Sequence, residues 1–316
     1  MQSTGVDIAE PAPISYIMTI DSASSGRLSF MGALRFTGAD ALSFLQGQVS
    51  NDTQRLTERT PVLAAYSTAQ GRVLALIYLL PHSSGVVAIL PREILEPTME
   101  RMRKFILRAK VRIEDAADTL IVAGTISQVG SKAVPRYVEH DGIGTAPVGH
   151  DENRQWIIGP PEKIAAPADA AAGKRIENDW RLADIRAGLP QVYAATSEAF
   201  VAQMLNLDLL DGISFTKGCY TGQEIIARTQ HLGRIKRRLA RLLLPSGTWS
   251  VGQALRLSDG RQGRLTEVIE SGGRTEALAV LSVEPAAGAA DAPGELLVDA
   301  TELPLPYSLL GPHVRE

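Results

Sequence analysis

The spacing of apolar residues changes along this chain, and each change marks a different element. Arg27–Phe36 alternates apolar and polar positions as a half-buried strand does. Thr37-Gly-Ala-Asp40 follows as a variant capping box, with Thr37 as N-cap and Asp40 at N3. It opens a short helix that turns Ala41, Leu42 and Leu45 inward and stops at Gly47. Pro61–Ser67 and Arg72–Leu80 read as strands joined by a hairpin turn, Thr68-Ala-Gln-Gly71. Val86–Leu90 is a third strand. Arg92–Leu107 then shifts to the helical period: Ile94, Leu95, Met99, Met102, Phe105 and Ile106 make one face. Arg101, Lys104 and Arg108 lie on the other.

Val111–Ile113 and Thr119–Gly124 are strand-like, and then the signal fades. Between Ser127 and Gly173 glycine, proline and alanine are frequent, and only Trp156–Ile158 reads as a strand. Order returns at Ile176, in a helix that ends at Gly188 with Pro190 just beyond. Thr196–Asn206 is irregular, and Gln223–Gln230 is a helix with Gly233 as its C-cap. After Gly233 come short strands with glycine turns: Arg237–Leu244, Ala254–Leu257, Gly263–Ile269, Ala277–Val283 and Leu296–Val298. That texture predicts a small all-β barrel as a separate C-terminal domain.

Composition narrows the class. A chain of 316 residues needs more than one core. The longest apolar run, Val73–Leu80, is far too short to span a bilayer and suits a buried strand. The first residues carry Asp7, Glu10, Pro11 and Pro13 and no apolar core, so residues 1–24 read as a flexible extension, not a signal peptide. A cytoplasmic protein is the expectation. The net charge of −3 excludes a general polyanion binder, but the bases cluster in Arg101–Arg112 and Arg234–Arg241.

The single cysteine, Cys219, sits in SFTKGCYTGQEIIART, from Ser214 to Thr229. A thiolate is stabilised by a helix N-terminus and by a nearby ammonium, and the segment offers a helix start after Gly222 and the Lys217 side chain. Gly218 and Gly222 let the backbone turn sharply and admit a ligand. A buried structural cysteine fits the same pattern. One cysteine cannot hold an iron–sulfur cluster or build a zinc site alone, so no stably bound metal is expected.

Lys217–Arg228, KGCYTGQEIIAR, resembles the K-G-C-Y-x-G-Q-E signature of the YgfZ family, folate-binding proteins related to the aminomethyltransferase (T-protein) of glycine cleavage. Gly38–Asp52, Ala64–Val73, the DWRLADIRAGLPQV segment, the stretch leading into KGC and Glu302–Leu309 resemble further family segments in the same order. The resemblance runs from Leu28 to Leu309 and is thin between Ser127 and Gly173. It implies an α+β fold: a three-domain ring of two intertwined ferredoxin-like α+β domains and a C-terminal barrel. On this chain, 25–115 with 174–232 would form the folate-binding domain, 116–173 a more variable second part and 233–316 the barrel.

The resemblance further implies tetrahydrofolate, or another reduced folate, in a central pocket. The implied role is to support assembly or repair of iron–sulfur clusters in client enzymes, including tRNA-modifying enzymes. The partners would be transient, and a monomer away from membranes is favoured. Carried over residue by residue, Cys219 is the functional thiol with Lys217 as its activator. Trp180 and Met31 would meet the folate ring, and Arg228 with Lys217 its acidic tail. Gly218, Tyr220, Gly222, Gln223 and Glu224 complete the motif.

Two other functions compete. The T-protein pattern places an acidic pair after the hairpin, where this chain has Leu74 and Ala75, so aminomethyl transfer lacks its proton-handling group. A tRNA-binding module would use the two basic runs, although charge runs are usually solvated faces and the one aromatic within them, Phe105, is assigned to the apolar face of its helix and so is not expected to stack on a base.

Overall fold

A computed structural model of the chain describes residues 22–127, 136–149, 151–232, 234–285 and 296–309. The tail expected over 1–24 falls outside the described residues as far as residue 21, and so does the Gly233 cap. The fold is mixed α+β, with three antiparallel-rich sheets and few helices. No helix among the described residues is long and apolar enough to cross a membrane.

The strand expected over Arg27–Phe36 is two strands. β1 (Ser22–Arg27) and β2 (Met31–Thr37) are separated by a turn in which the Met31 N–H donates to the Leu28 carbonyl, and they join different sheets. β2, β3 (Val62–Ser67), β4 (Val73–His82), β5 (Gly85–Pro91) and β6 (Arg112–Asp115) form the first sheet, in the order β3-β4-β5-β2-β6. Both of its faces are covered. Ala75, Ile77 and Leu79 meet one apolar cluster, and Val73, Leu76, Tyr78 and Leu80 another, which is why β4 is apolar at nearly every position.

α1 (Ala41–Gln48) and α2 (Leu95–Arg103) cover the first of these faces. Thr37 and Asp40 do not form the expected capping box. Thr37 is the last residue of β2, and Asp40 is the N-cap without a side-chain cap. The Asp40 carboxylate instead accepts the Lys110 N–H at 2.6 Å, and the Asp40 N–H donates to the Lys110 carbonyl at 3.2 Å. The helix expected over Arg92–Leu107 is also shorter. After a 3₁₀ turn, α2 ends at Arg103, whose guanidinium donates to the Ile113 carbonyl and ties the chain to β6. Phe105 is therefore exposed and off the apolar face.

The second sheet contains β1, β7 (Ile121–Ser127), β8 (Val138–His140), β9 (Ile143–Val148) and β10 (Asp151–Gly159), in the order β1-β7-β10-β9-β8. α3 (Ala170–Ala187) packs on it and starts inside the stretch that carries no period. The Asp169 side chain accepts the Ala172 N–H, and alanines form the first turn. Gly188 closes the helix in the left-handed region, as its sequence predicts.

The row Ile176, Trp180, Asp184 of α3 is buried. Trp180 lies against Gly124 of β7, where a Cβ would come within 2.2 Å of the indole. Its ring centre is 4.6 Å from that of Trp156, which in turn meets Tyr78 at 5.2 Å. Arg154 is buried beside the indoles, with Nε 2.6 Å from Asp151 and Nη1 2.6 Å from Asp184. Burial lifts the Asp184 carboxyl from 3.8 to about 6, against the opposing pull of Arg154. The folded chain thus holds a proton that the unfolded chain releases, so the Asp184 contribution to stability is present at low pH and lost as pH rises through 6. Thermal melts should show Asp184→Asn free of the downward contribution that Asp184 makes to stability in the unsubstituted protein between about pH 4 and about pH 6.

The C-terminal strands are β11 (Arg237–Leu244), β12 (Ala254–Leu257), β13 (Gln262–Ser271), β14 (Arg274–Ser282), β15 (Leu296–Val298) and β16 (Thr301–Leu303). Their order is β15-β12-β13-β14-β11-β16, so the two edge strands are consecutive in the chain, joined only through Asp299 and Ala300. A sheet whose edges are tied so closely has to curl. Among the described residues no ladder joins β15 to β16, so its hydrogen bonding does not close into the expected barrel. It has its own core around Leu242, Leu255 and Leu265, while Leu239, Leu278 and Val280 join the core shared with the other sheets.

Candidate functional site

The segment around Cys219 is fastened to the end of α1. Ser214 N–H donates to the Ser50 carbonyl, and Ser50 Oγ donates to the Gly212 carbonyl at 2.6 Å. The Asn51 side-chain amide bridges the Asp211 and Leu63 carbonyls. Lys217 completes the attachment. Its Nζ donates to the carbonyls of Gln46, Val49 and Asn51 at 2.6, 2.7 and 3.0 Å and lies 4.8 Å from the Tyr220 ring centre. A cation at a helix C-terminus satisfies carbonyls that the helix leaves open.

The expected roles change accordingly. The ammonium has three hydrogens and directs all of them at backbone carbonyls. Lys217 is therefore a clamp for the loop, not an activator of the thiol or a group for a folate tail, and burial pushes it down to about 8. Tyr220 is buried under that ammonium, its hydroxyl pushed up to about 12 by burial, so its ring belongs to the core.

Gly222 makes the second attachment. It has φ of +85°, and a Cβ there would lie 2.6 Å from the Thr68 carbonyl oxygen and 3.1 Å from Gly71 Cα. Gly71, with φ of +71°, is equally confined by Ile225. The KGCYTGQE loop thus rests on the Thr68–Gly71 hairpin through two glycines. α4 (Gln223–Leu232) starts immediately after. Gln223 is partly exposed, and Glu224 and Arg228 are exposed; no ion pair holds Arg228 among the described residues. Between the two attachments Cys219 is exposed to solvent. Gly218 is exposed as well, and a Cβ there would meet nothing. Phe215, 39% exposed, lies on the same loop.

The two residues expected to face a folate ring do not. Trp180 is 0% exposed and Met31 is 5% exposed. Both fill the shared core, because each sits on the inward side of its element. Their chain neighbours Arg181 and Phe30 meet instead, the Arg181 guanidinium carbon lying 5.9 Å from the Phe30 ring centre and 5.8 Å from that of Tyr193. Glu267 of β13 accepts from both Arg181 and the Tyr193 hydroxyl. The Arg181 Nε is buried without a partner. Its sequence signal was adjacency: one residue along α3 turns from the core toward β13.

Clefts of about 350 and 440 Å³ lie elsewhere: the first between α3 and the β13–β14 turn, beside Lys174, Asn178 and Glu270, the second between the start of α1 and the β4–β5 turn. Neither is lined by Cys219 or Trp180. Leu74 and Ala75 offer no acid; Ala75 is buried in the first sheet. The second basic run is neutralised in part, since Arg234, Arg238 and Arg241 each hold a carboxylate.

No family model matches the chain. It is 30% identical to tRNA-modifying protein YgfZ of Hamiltonella defensa, over 73% of this chain and 71% of that one. With the protein of the same name from Colwellia psychrerythraea the identity is 33%, over 67% and 69%. With that from Yersinia pestis it is 31%, over 86% and 89%. Among solved structures, the glycine cleavage system aminomethyltransferase T from Bartonella henselae superposes with a TM-score of 0.60 over 85% of this chain and 80% of that one. At 12% identity it shares the fold.

Proposed function

The chain belongs to the family of tRNA-modifying protein YgfZ, and on that premise we propose that it binds tetrahydrofolate and supports assembly or repair of iron–sulfur clusters in client enzymes, tRNA-modifying enzymes among them. The observation that carries the reading is Cys219: the only cysteine of the chain is solvent-exposed on a loop held rigid from both sides. A thiol so placed can take part in transient sulfur or iron chemistry with a partner, and in the cytoplasm it stays reduced. The iron–sulfur cluster is cargo in this reading.

Tetrahydrofolate has a fitting set of residues at Phe30, Arg181 and Tyr193. An aromatic face suits the pterin, and the unpartnered Arg181 Nε is a donor for a carbonyl or carboxylate oxygen. When bound, the folate supplies a one-carbon carrier; the chain's residues hold its ring. Aminomethyl transfer is not proposed, because Leu74 and Ala75 cannot handle the proton.

Calorimetric titration with tetrahydrofolate tests this set of residues. Saturable binding is expected, with affinity at least about tenfold lower in Phe30→Ala, the loss of one ring contact. Absence of saturable binding sinks the folate half of the proposal. For the thiol, cells carrying Cys219→Ala should lose iron–sulfur enzyme activity under oxidative stress at unchanged protein level. Full activity in those cells sinks the other half.

A further inference from the structure

The chain after α2 presents a surface that neither the thiol loop nor the folate site uses. From Phe105 to Arg112 three residues turn inward and five outward. Ile106, Ala109 and Val111 pack against the first core cluster. Phe105, Leu107, Arg108, Lys110 and Arg112 are exposed, Phe105 by 46% and Leu107 by 88%. Lys104 is exposed beside them. Arg103 pairs with Glu100 and Arg112 with Glu114, but no ion pair holds Lys104, Arg108 or Lys110 among the described residues. The strip is not a loose loop. Asp40 grips both backbone polar groups of Lys110, and Gly38 lets the two chains close to a distance no Cβ would tolerate, 2.1 Å from the Lys110 carbonyl oxygen.

A rigid strip of unpaired cations around an exposed aromatic ring is how proteins take single-stranded nucleic acid: cations along the backbone, a ring under a base. We propose that this strip binds RNA directly, Lys104, Arg108 and Lys110 meeting phosphates and Phe105 stacking on an unpaired base. A membrane is a poorer fit, because only two apolar side chains project and their neighbours turn inward, whereas interfacial anchoring needs a broad apolar face. The inference rests on the reading above only in taking the chain to serve tRNA modification; it requires neither folate nor Cys219.

The test is fluorescence anisotropy of an unmodified, labelled tRNA transcript against the full chain. Saturable binding is expected, weakening roughly 20-fold between about 50 and 200 mM salt, as displacement of about three phosphate counterions requires. The triple variant Lys104→Glu, Arg108→Glu, Lys110→Glu should bind at least about tenfold more weakly. Phe105→Ala should lose about fivefold or more, at unchanged melting temperature, and Phe105→Tyr should bind normally. Arg237→Glu, in the other basic run, should bind as the unsubstituted protein does.

No saturable binding of the transcript, or equal binding by the triple variant and Phe105→Ala, overturns the proposal. So does capture of polyglutamate or of phosphatidylserine vesicles as tight as that of RNA. A protein that binds tetrahydrofolate but no RNA overturns this inference and leaves the folate reading standing. RNA binding without folate binding does the reverse.

Discussion

Gly222→Ala is expected to destabilise the protein by about 3 kcal/mol or more, summing a left-handed alanine with overpacking against backbone. The residue has φ of +85°, which L side chains adopt at a cost. The added methyl would stand 2.6 Å from the Thr68 carbonyl oxygen. That oxygen cannot retreat, because it already accepts the Gly71 N–H while the Thr68 N–H is held by the Arg72 carbonyl. The loop would have to leave the hairpin, carrying Cys219 with it. Urea denaturation of Gly222→Ala beside Gly218→Ala separates the two glycines. Gly218→Ala adds a methyl to open space at an ordinary φ and should change stability by less than about 0.5 kcal/mol. A Gly222→Ala midpoint equal to that of Gly218→Ala would show that the loop does not depend on the contact. A functional loss in Gly218→Ala would then mark that glycine as room left for a partner next to the thiol.

The two glycines show what kind of information the sequence carried. Local pattern places Arg237–Leu244, Ala254–Leu257 and Leu296–Val298 at the bounds they have in the fold, but not the break between β1 and β2 or the strands β8 and β9, which pairing with distant segments decides. Gly188 was readable as a helix stop for the same reason. Lys217 was not readable. Its three acceptors lie on the far side of the chain in sequence, at Gln46, Val49 and Asn51, so proximity to Cys219 in sequence suggested a role that geometry withholds. Phe105 shared the helical period of Met99 and Met102, and only the tie from Arg103 to Ile113 ends the helix before it. Asp184 broke the apolar period of the row Ile176, Trp180, hiding how deep that row runs; its charge is met by Arg154 of a distant strand. Where the partner is remote, the residue type alone misleads.

Trp180 carries the largest consequence of that kind. Trp180→Ala is expected to cost about 3–5 kcal/mol, the usual range for deleting a buried aromatic whose site cannot collapse. The surroundings are rigid: Trp156 at 4.6 Å and a guanidinium, Arg154, at 5.0 Å, both themselves buried. Truncation leaves Arg154 facing a void and strips its cation–π contact, adding to the cavity term. Differential scanning calorimetry should therefore show a melting point lowered by several degrees, about 1.5 °C for each kcal/mol in a chain of 316 residues. Loss of tetrahydrofolate binding by this variant would be loss of fold, whereas Phe30→Ala, on a partly buried ring at the edge of the core, should weaken binding with a smaller loss of melting temperature than Trp180→Ala. If Trp180→Ala instead keeps its melting point and loses only ligand affinity, the indole faces a ligand in solution, and Phe30 with Arg181 is the wrong pair.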